Sequence, residues 1–387
     1  MRFLWAALLG LATALPVDKE PSIEKGPTPA VVKEPVETSV LSAAEEPVPV
    51  TPDRGTDVPR LVLYFQTTHD ALGQPISMLP LITEKNIALT HLIVCSFHIN
   101  EGGNITLNDY PPWYPLFNTL WNETRLMQDA GVRVMGMVGG AAAGSFSRRT
   151  LDGNATTFEH YYGQLRDTIR AYRLEGMDLD VEQPMSQAGI TRLVSRLRAD
   201  FGPDFIITLS PVATALQGGG NLSGFDYQQL EHDVGRHIAF YNAQFYNGWG
   251  YAGSTSEYDT IVRTGYAPTR IVLGQVTTSD NGGDYVEPAQ LNETVRLLRA
   301  EYGQIGGIMG WEYFNSAPGG TERPWEWAQI MTAILRPGLV PLLRITKDIA
   351  RGLVQAWQDS LAGGGDMIAT AVMPVTPTVD YFAMVNA

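Results

Sequence analysis

Three carboxylic acids stand at alternate positions in the run Leu174-Glu175-Gly176-Met177-Asp178-Leu179-Asp180-Val181-Glu182. Side chains alternate faces along a β-strand, so Asp178, Asp180 and Glu182 share one face, and Leu179 and Val181 the other. Carboxyls gathered in this way cannot all ionise normally, because like charge and lost hydration both favour the neutral form. A carboxyl that keeps its proton near neutral pH can donate it to the oxygen of a leaving group, such as a glycosidic oxygen. The competing reading is a solvated acidic strand with no chemistry. The apolar residues between the acids weigh against it, because they suit a buried parallel strand, where a row of acids is costly without a task.

Such a row needs a scaffold. Short apolar, β-branched runs at 61–65, 90–97, 132–138, 176–182, 205–211, 238–246, 270–276 and 305–311 read as strands. Amphipathic stretches at 113–130, 156–173, 186–200, 225–233, 256–265, 288–302 and 325–335 read as helices, with a weaker candidate at 75–86. Strands alternating with helices in this number predict an α/β fold, a (β/α)₈ TIM barrel. An open doubly wound sheet is the alternative, but no Gly-rich phosphate fingerprint follows the first strand. In a barrel the acids line the inward face of the fourth strand, with Glu182 at the C-terminal mouth, where barrel active sites lie.

The catalytic domain is expected at 58–340. Ahead of it, Met1-Arg2, the apolar run Phe3–Leu11 and Ala12-Thr13-Ala14 have the form of a signal peptide, 1–14. Residues 15–57, rich in Pro, Glu, Val and Thr, read as an extended linker or pro-segment. Residues 341–387 read as a tail: Gly363-Gly364-Gly365 breaks the pattern, and Pro374, Pro377 and Asp380 interrupt any lipid-anchor signal. A secreted, extracellular location is expected. Five Asn-x-Ser/Thr acceptor patterns, at Asn104, Asn122, Asn154, Asn221 and Asn292, agree with a eukaryotic secretory route. The lone cysteine, Cys95, lies in a strand-like run and reads as a core thiol; no intrachain disulfide can form.

A net charge of −14 gives no basic footprint for nucleic acid. No segment after the leader reaches the length of a membrane span. A monomer is expected.

The acidic run resembles the Asp-Gly-x-Asp-x-Asp-x-Glu signature of glycoside hydrolase family 18, with Glu175 in place of the first Asp. Val138-Gly139-Gly140 resembles the end of the family's third-strand motif, though Met137 and Val138 replace its more usual polar residue. Gln244-Phe245-Tyr246-Asn247 is similar to its sixth-strand motif, and Gly307-Ile308-Met309-Gly310-Trp311 to its eighth strand. The resemblance spans about residues 60–336. It implies substrate-assisted hydrolysis with retention, in which the 2-acetamido oxygen of the substrate replaces an enzyme nucleophile. Glu182 would be the acid and then the base. Asp180 would orient the acetamido group, Asp178 would share a proton with Asp180, and Tyr246 would bond the acetamido oxygen. Gln244, Asn247, Gly139 and Gly140 would border the sugar, and Trp311 would floor it. No metal or organic cofactor is implied. Taken singly, Tyr246 and Trp311 also suit plain core packing, and Trp249 is either a rim contact for sugar or a surface-loop aromatic.

Only residues 277–304 separate the seventh strand from the eighth, room for one helix, so the α+β insertion of larger chitinases is absent and a shallow cleft is expected. Glu175–Pro184 and Gly310–Phe314 resemble the secreted fungal endo-β-N-acetylglucosaminidases. That resemblance implies cleavage within the GlcNAc-GlcNAc core of N-glycans and glycoproteins. It also implies removal of the tail as a propeptide. A compact chitinase acting on chitin oligomers is the alternative, and a non-catalytic lectin a more distant one.

Overall fold

A computed structural model describes residues 58–338 together with 351, 352 and 355. The expected signal peptide 1–14, the segment 15–57 and most of the tail 341–387 lie outside the described residues.

Eight strands form the centre: β1 Arg60–Phe65, β2 His91–His98, β3 Arg133–Gly139, β4 Gly176–Asp180, β5 Ile206–Leu209, β6 Phe240–Gln244, β7 Ile271–Val276 and β8 Gly307–Trp311. Each pairs in parallel with its neighbours in chain order. β1 pairs with both β2 and β8, which closes the sheet into a TIM barrel. A two-residue strand, Thr106–Leu107, folds back antiparallel on the end of β2. The helices that follow the strands in turn are α1 Pro80–Thr83, α2 Asn118–Asp129, α3 Ala155–Tyr172, α4 Gln187–Phe201, α5 Tyr227–Val234, α6 Ser256–Arg263, α7 Pro288–Tyr302 and α8 Trp325–Leu335. Only α7 and short turns lie between β7 and β8, so the barrel carries no inserted domain there.

The period-two pattern of the strands sorts their side chains into two apolar clusters. Leu61, Leu63, Leu179, Val181 and Leu273 pack outward against the helices. Val62, Tyr64, Ile93, Cys95, Met135, Met137, Phe240 and Met309 fill the barrel. At the closed end the Arg60 guanidinium lies 4.4 Å from the Phe240 ring centre, and His91 meets the same ring edge-on. Above this floor the interior turns polar on β4, β5 and β6: Asp178, Thr208 and Asn242, then Asp180, Ser210 and Gln244, all buried.

Three strands end earlier than their sequence predicts. β4 stops at Asp180, not Glu182; β5 at Leu209, not 211; β6 at Gln244, not 246. Leu179 pairs with Leu209, and the last bond runs from the Ser210 N–H to the Leu179 carbonyl. The next residue of β5 is Pro211, which has no N–H to donate, so the ladder ends there. Glu182 and Tyr246 therefore stand on the mouth just past their strands.

Candidate active site

Asp178 lies at the centre of the barrel, fully buried. Its Oδ1 accepts hydrogen bonds from Thr208 (2.5 Å) and Asn242 Nδ2 (3.3 Å). Its Oδ2 accepts from the Tyr64 hydroxyl (2.7 Å) and from Ser210 Oγ. Burial pushes its pKa upward, and these four neutral donors oppose that by favouring the carboxylate.

One residue further along the same face, Asp180 Oδ1 accepts from Gln244 Nε2 at 3.2 Å, and the same nitrogen reaches Glu182 Oε1 at 3.1 Å. A single amide thus ties the two carboxyls together, while the Ser210 carbonyl, 3.0 Å away, holds the amide itself. Asp180 is pushed well above the usual carboxylate range by burial, then by the charges of Glu182 and Asp178. Glu182 is raised by burial, and the Gln244 bond moderates the rise. The site therefore holds a proton in a pH range where exposed carboxyls have lost theirs.

The segment after Glu182 is fixed from two sides. Gln183 Oε1 accepts from the Gly144 N–H at 2.6 Å, and Ser186 caps α4 by accepting from the Gly189 N–H at 3.0 Å.

Tyr246 is buried beside the acids, its pKa driven well up by burial and then by Asp180, Glu182 and Asp178. Its hydroxyl makes no hydrogen bond among the described residues and so keeps its proton to offer. Trp311 ends β8, packs on the interior cluster and lies 5.5 Å from the Tyr64 ring centre.

Gly139 and Gly140 have φ of +109° and +87°, a region that favours glycine. A Cβ on Gly139 would stand 2.2 Å from the Asp180 carbonyl oxygen, so this buried glycine lets β3 approach β4. Gly140 is more open, and a Cβ there would lie 3.8 Å from Asp180 Oδ2. Asn247 sits at the exposed rim with φ +56°, its Oδ1 accepting from the Gly283 N–H at 2.7 Å. It joins the loops after β6 and β7. Trp249 is partly buried on the outer core and packs over Gly220, and so is not a free-standing ring. Glu175, the departure from the family signature, is far from this chemistry: it accepts from the Val134 N–H (3.0 Å) and pairs with Arg133 (2.8 Å).

Past the ends of β1, β2 and β3 the mouth opens into a cavity of about 630 Å³. Gln66, Thr67, Asn100, Asn108 and Tyr110 line it, with Ala142 and Ala143 just past Gly140. Its two histidines, His69 and His98, have pKa values lowered by burial, which favours the neutral ring. Asp109 is the carboxylate in its lining, and among the described residues no Lys or Arg lines it.

Sequence reasoning missed Tyr64, Thr208, Ser210 and Asn242. The signal was present: each is a polar group at an inward position of an otherwise apolar strand. Glu312, buried behind Trp311, was also missed.

The model of the glycosyl hydrolases family 18 matches residues 60–274. The chain belongs to glycoside hydrolase family 18. It is a glycoside hydrolase with the TIM barrel of that family. It is 65% identical to a fungal endo-β-N-acetylglucosaminidase of family 18, over 73% of this chain and 100% of that one, with TM-score 0.72. It is 49% identical to a chitinase of Aspergillus fumigatus, over 70% of this chain and 98% of that one, with TM-score 0.65. A family 18 chitinase of Pseudoalteromonas aurantia, 19% identical over 71% of this chain and 100% of that one with TM-score 0.58, shares the fold. A comparison with curated protein sequences finds no match.

Proposed function

We propose that this family 18 enzyme is an endo-β-N-acetylglucosaminidase that cleaves the β-1,4 bond between the two core N-acetylglucosamines of N-linked glycans. The observation that carries the reading is the 65% identity to a fungal enzyme of that activity, over that enzyme's whole length. The site supports the chemistry. Glu182, raised by burial, gives its proton to the glycosidic oxygen as the C1–O bond breaks. The 2-acetamido oxygen of the substrate attacks C1, and an oxazolinium ion forms. Asp180 accepts from the acetamido N–H as positive charge develops there, and the unengaged Tyr246 hydroxyl donates to the acetamido oxygen. Asp178, held by its four donors, fixes the negative charge beneath Asp180. Water then gives a proton to Glu182 and adds to C1 as the bond from C1 to the acetamido oxygen breaks, so the acetamide is restored and configuration is retained. The cavity past β1, β2 and β3, lined mostly by amides and hydroxyls with Asp109 as its carboxylate, suits uncharged sugars, whose hydroxyls pair with such groups. We also propose that the chain is secreted and acts as a monomer.

The test is incubation with a high-mannose glycoprotein such as ribonuclease B, read by intact mass, with chitin oligomers in parallel. Loss of the glycan with one N-acetylglucosamine left on the protein is expected. Cleavage of chitin oligomers with the glycoprotein untouched would replace the reading with a chitinase, the alternative that the 49% identity to the Aspergillus fumigatus enzyme favours.

A further inference from the structure

Glu312 carries a second buried carboxyl at the mouth, one residue past Trp311 and 6% exposed. Its Oε2 accepts from the N–H groups of Gln66 (3.0 Å) and Thr67 (2.8 Å), and its Oε1 from the Thr67 hydroxyl (2.8 Å). All of its side-chain partners lie on one segment, which runs on from β1. That segment, Gln66 to His69, walls the cavity. The wall is tied onward: the Gln66 carbonyl accepts from Asn108 Nδ2 at 2.9 Å, and Asn108 Oδ1 accepts from the Ser96 N–H at 3.1 Å. On its other side the backbone of Glu312 is anchored through its carbonyl, which accepts from Thr277 and from Ser316 at 2.6 and 2.9 Å. Among the described residues no Arg or Lys contacts this carboxyl, and backbone N–H and hydroxyl dipoles face it instead. A glutamine there could keep both N–H bonds on its carbonyl oxygen, but it would lose the charge that strengthens them and would turn the Thr67 hydroxyl from donor to acceptor. Burying a carboxyl for packing alone is costly.

We infer that Glu312 is a positioning residue for the reaction: it fixes the cavity wall Gln66–His69 against the Trp311 floor, so that the sugar on Trp311 and the sugars in the cavity are held in one register. The inference rests on the family 18 reading of the site and not on which glycan is cut.

The test compares wild type with Glu312→Gln and Thr67→Val on two substrates, a short chromogenic chitobioside and a longer chain, either the high-mannose glycopeptide or chitotetraose, whichever wild type cleaves. KM for the longer substrate is expected to rise about ten- to hundredfold in Glu312→Gln, as three bonds to a carboxylate become neutral ones. KM for the chitobioside should rise much less, and Thr67→Val should show a smaller change with the same bias. Equal loss of kcat on both substrates at unchanged KM would mean that Glu312 only stabilises the fold, and would overturn the inference. So would unchanged constants in folded Glu312→Gln. If that variant does not fold, Thr67→Val decides by the same bias. Wild-type failure on the glycopeptide overturns the substrate reading alone, since chitotetraose then serves for the comparison.

Discussion

Asp180 and Glu182 answer to one amide. Because Gln244 reaches both, and because burial raises both, the proton that starts the reaction belongs to the pair. Replacing Glu182 with Gln removes the acid but keeps the shape, and should lower kcat about 10²–10⁴-fold while glycan binding persists, measured by steady-state rates and calorimetry. In the wild type, activity should fall on the alkaline side as the pair loses its proton, at a pH above the ordinary carboxylate value of about 4. A pH–rate profile whose alkaline limb sits at that ordinary value would contradict the buried-acid geometry. The row Asp178, Asp180 and Glu182 was legible because strand period and residue type coincide. The polarity of Tyr64, Thr208, Ser210 and Asn242 at inward positions was legible, but their meeting at Asp178 was not: they come from β1, β5 with the residue just past it, and β6, and only barrel closure and register bring them to one oxygen pair.

At the scale of elements, the eight strands and seven of the helices, the last at 325–335 among them, were legible from periodicity, and their errors fall at the ends. The runs of β4, β5 and β6 continue apolar past their last ladder bond, so pattern alone overshoots, although Pro211 marks the stop. The weak stretch 75–86 condenses to the single turn of α1 because α2 holds it from the side. Glu123 of α2 accepts from Ser77 Oγ and the Met78 N–H at 2.9 and 2.8 Å. Burial pushes Glu123 up to about 7 from an ordinary 4.5. The folded state thus binds this proton more tightly than the unfolded chain does. Its contribution, about 3 kcal/mol, is present at low pH and is lost as pH rises from the ordinary value through about 7. Asp178, Asp180 and Glu312 pull in the same direction. Thermal unfolding of Glu123→Gln across that window should show a shallower decline with pH than the wild type. An identical slope would mean that Glu123 is ionised throughout.

For the whole molecule, the acceptor asparagines differ in what their side chains already do. Asn104, Asn122 and Asn154 are exposed, and Asn154 caps α3 through Oδ1, which leaves Nδ2 free for a glycan. Asn221 is half-buried, and its Nδ2, the atom that would be modified, donates to the Phe225 carbonyl at 3.3 Å. Peptide mapping of protein secreted from a eukaryotic host should find glycan at Asn104 and Asn154 and none at Asn221. Full occupancy at Asn221 would show that this loop yields. The acceptor pattern itself is legible in sequence; which sites remain usable depends on burial and bonding, which it does not record.

The single sulfur of Cys95, wholly inside the barrel with its thiol pKa raised by burial, has a practical consequence. With one cysteine in the chain, no covalent staple holds the barrel together, and the packed interior carries the whole load. Thiol reductants therefore have nothing in this enzyme to cut. Its hydrolase activity is expected to survive dithiothreitol, so that a substrate shielded by its own cross-links could be opened and treated in the same tube.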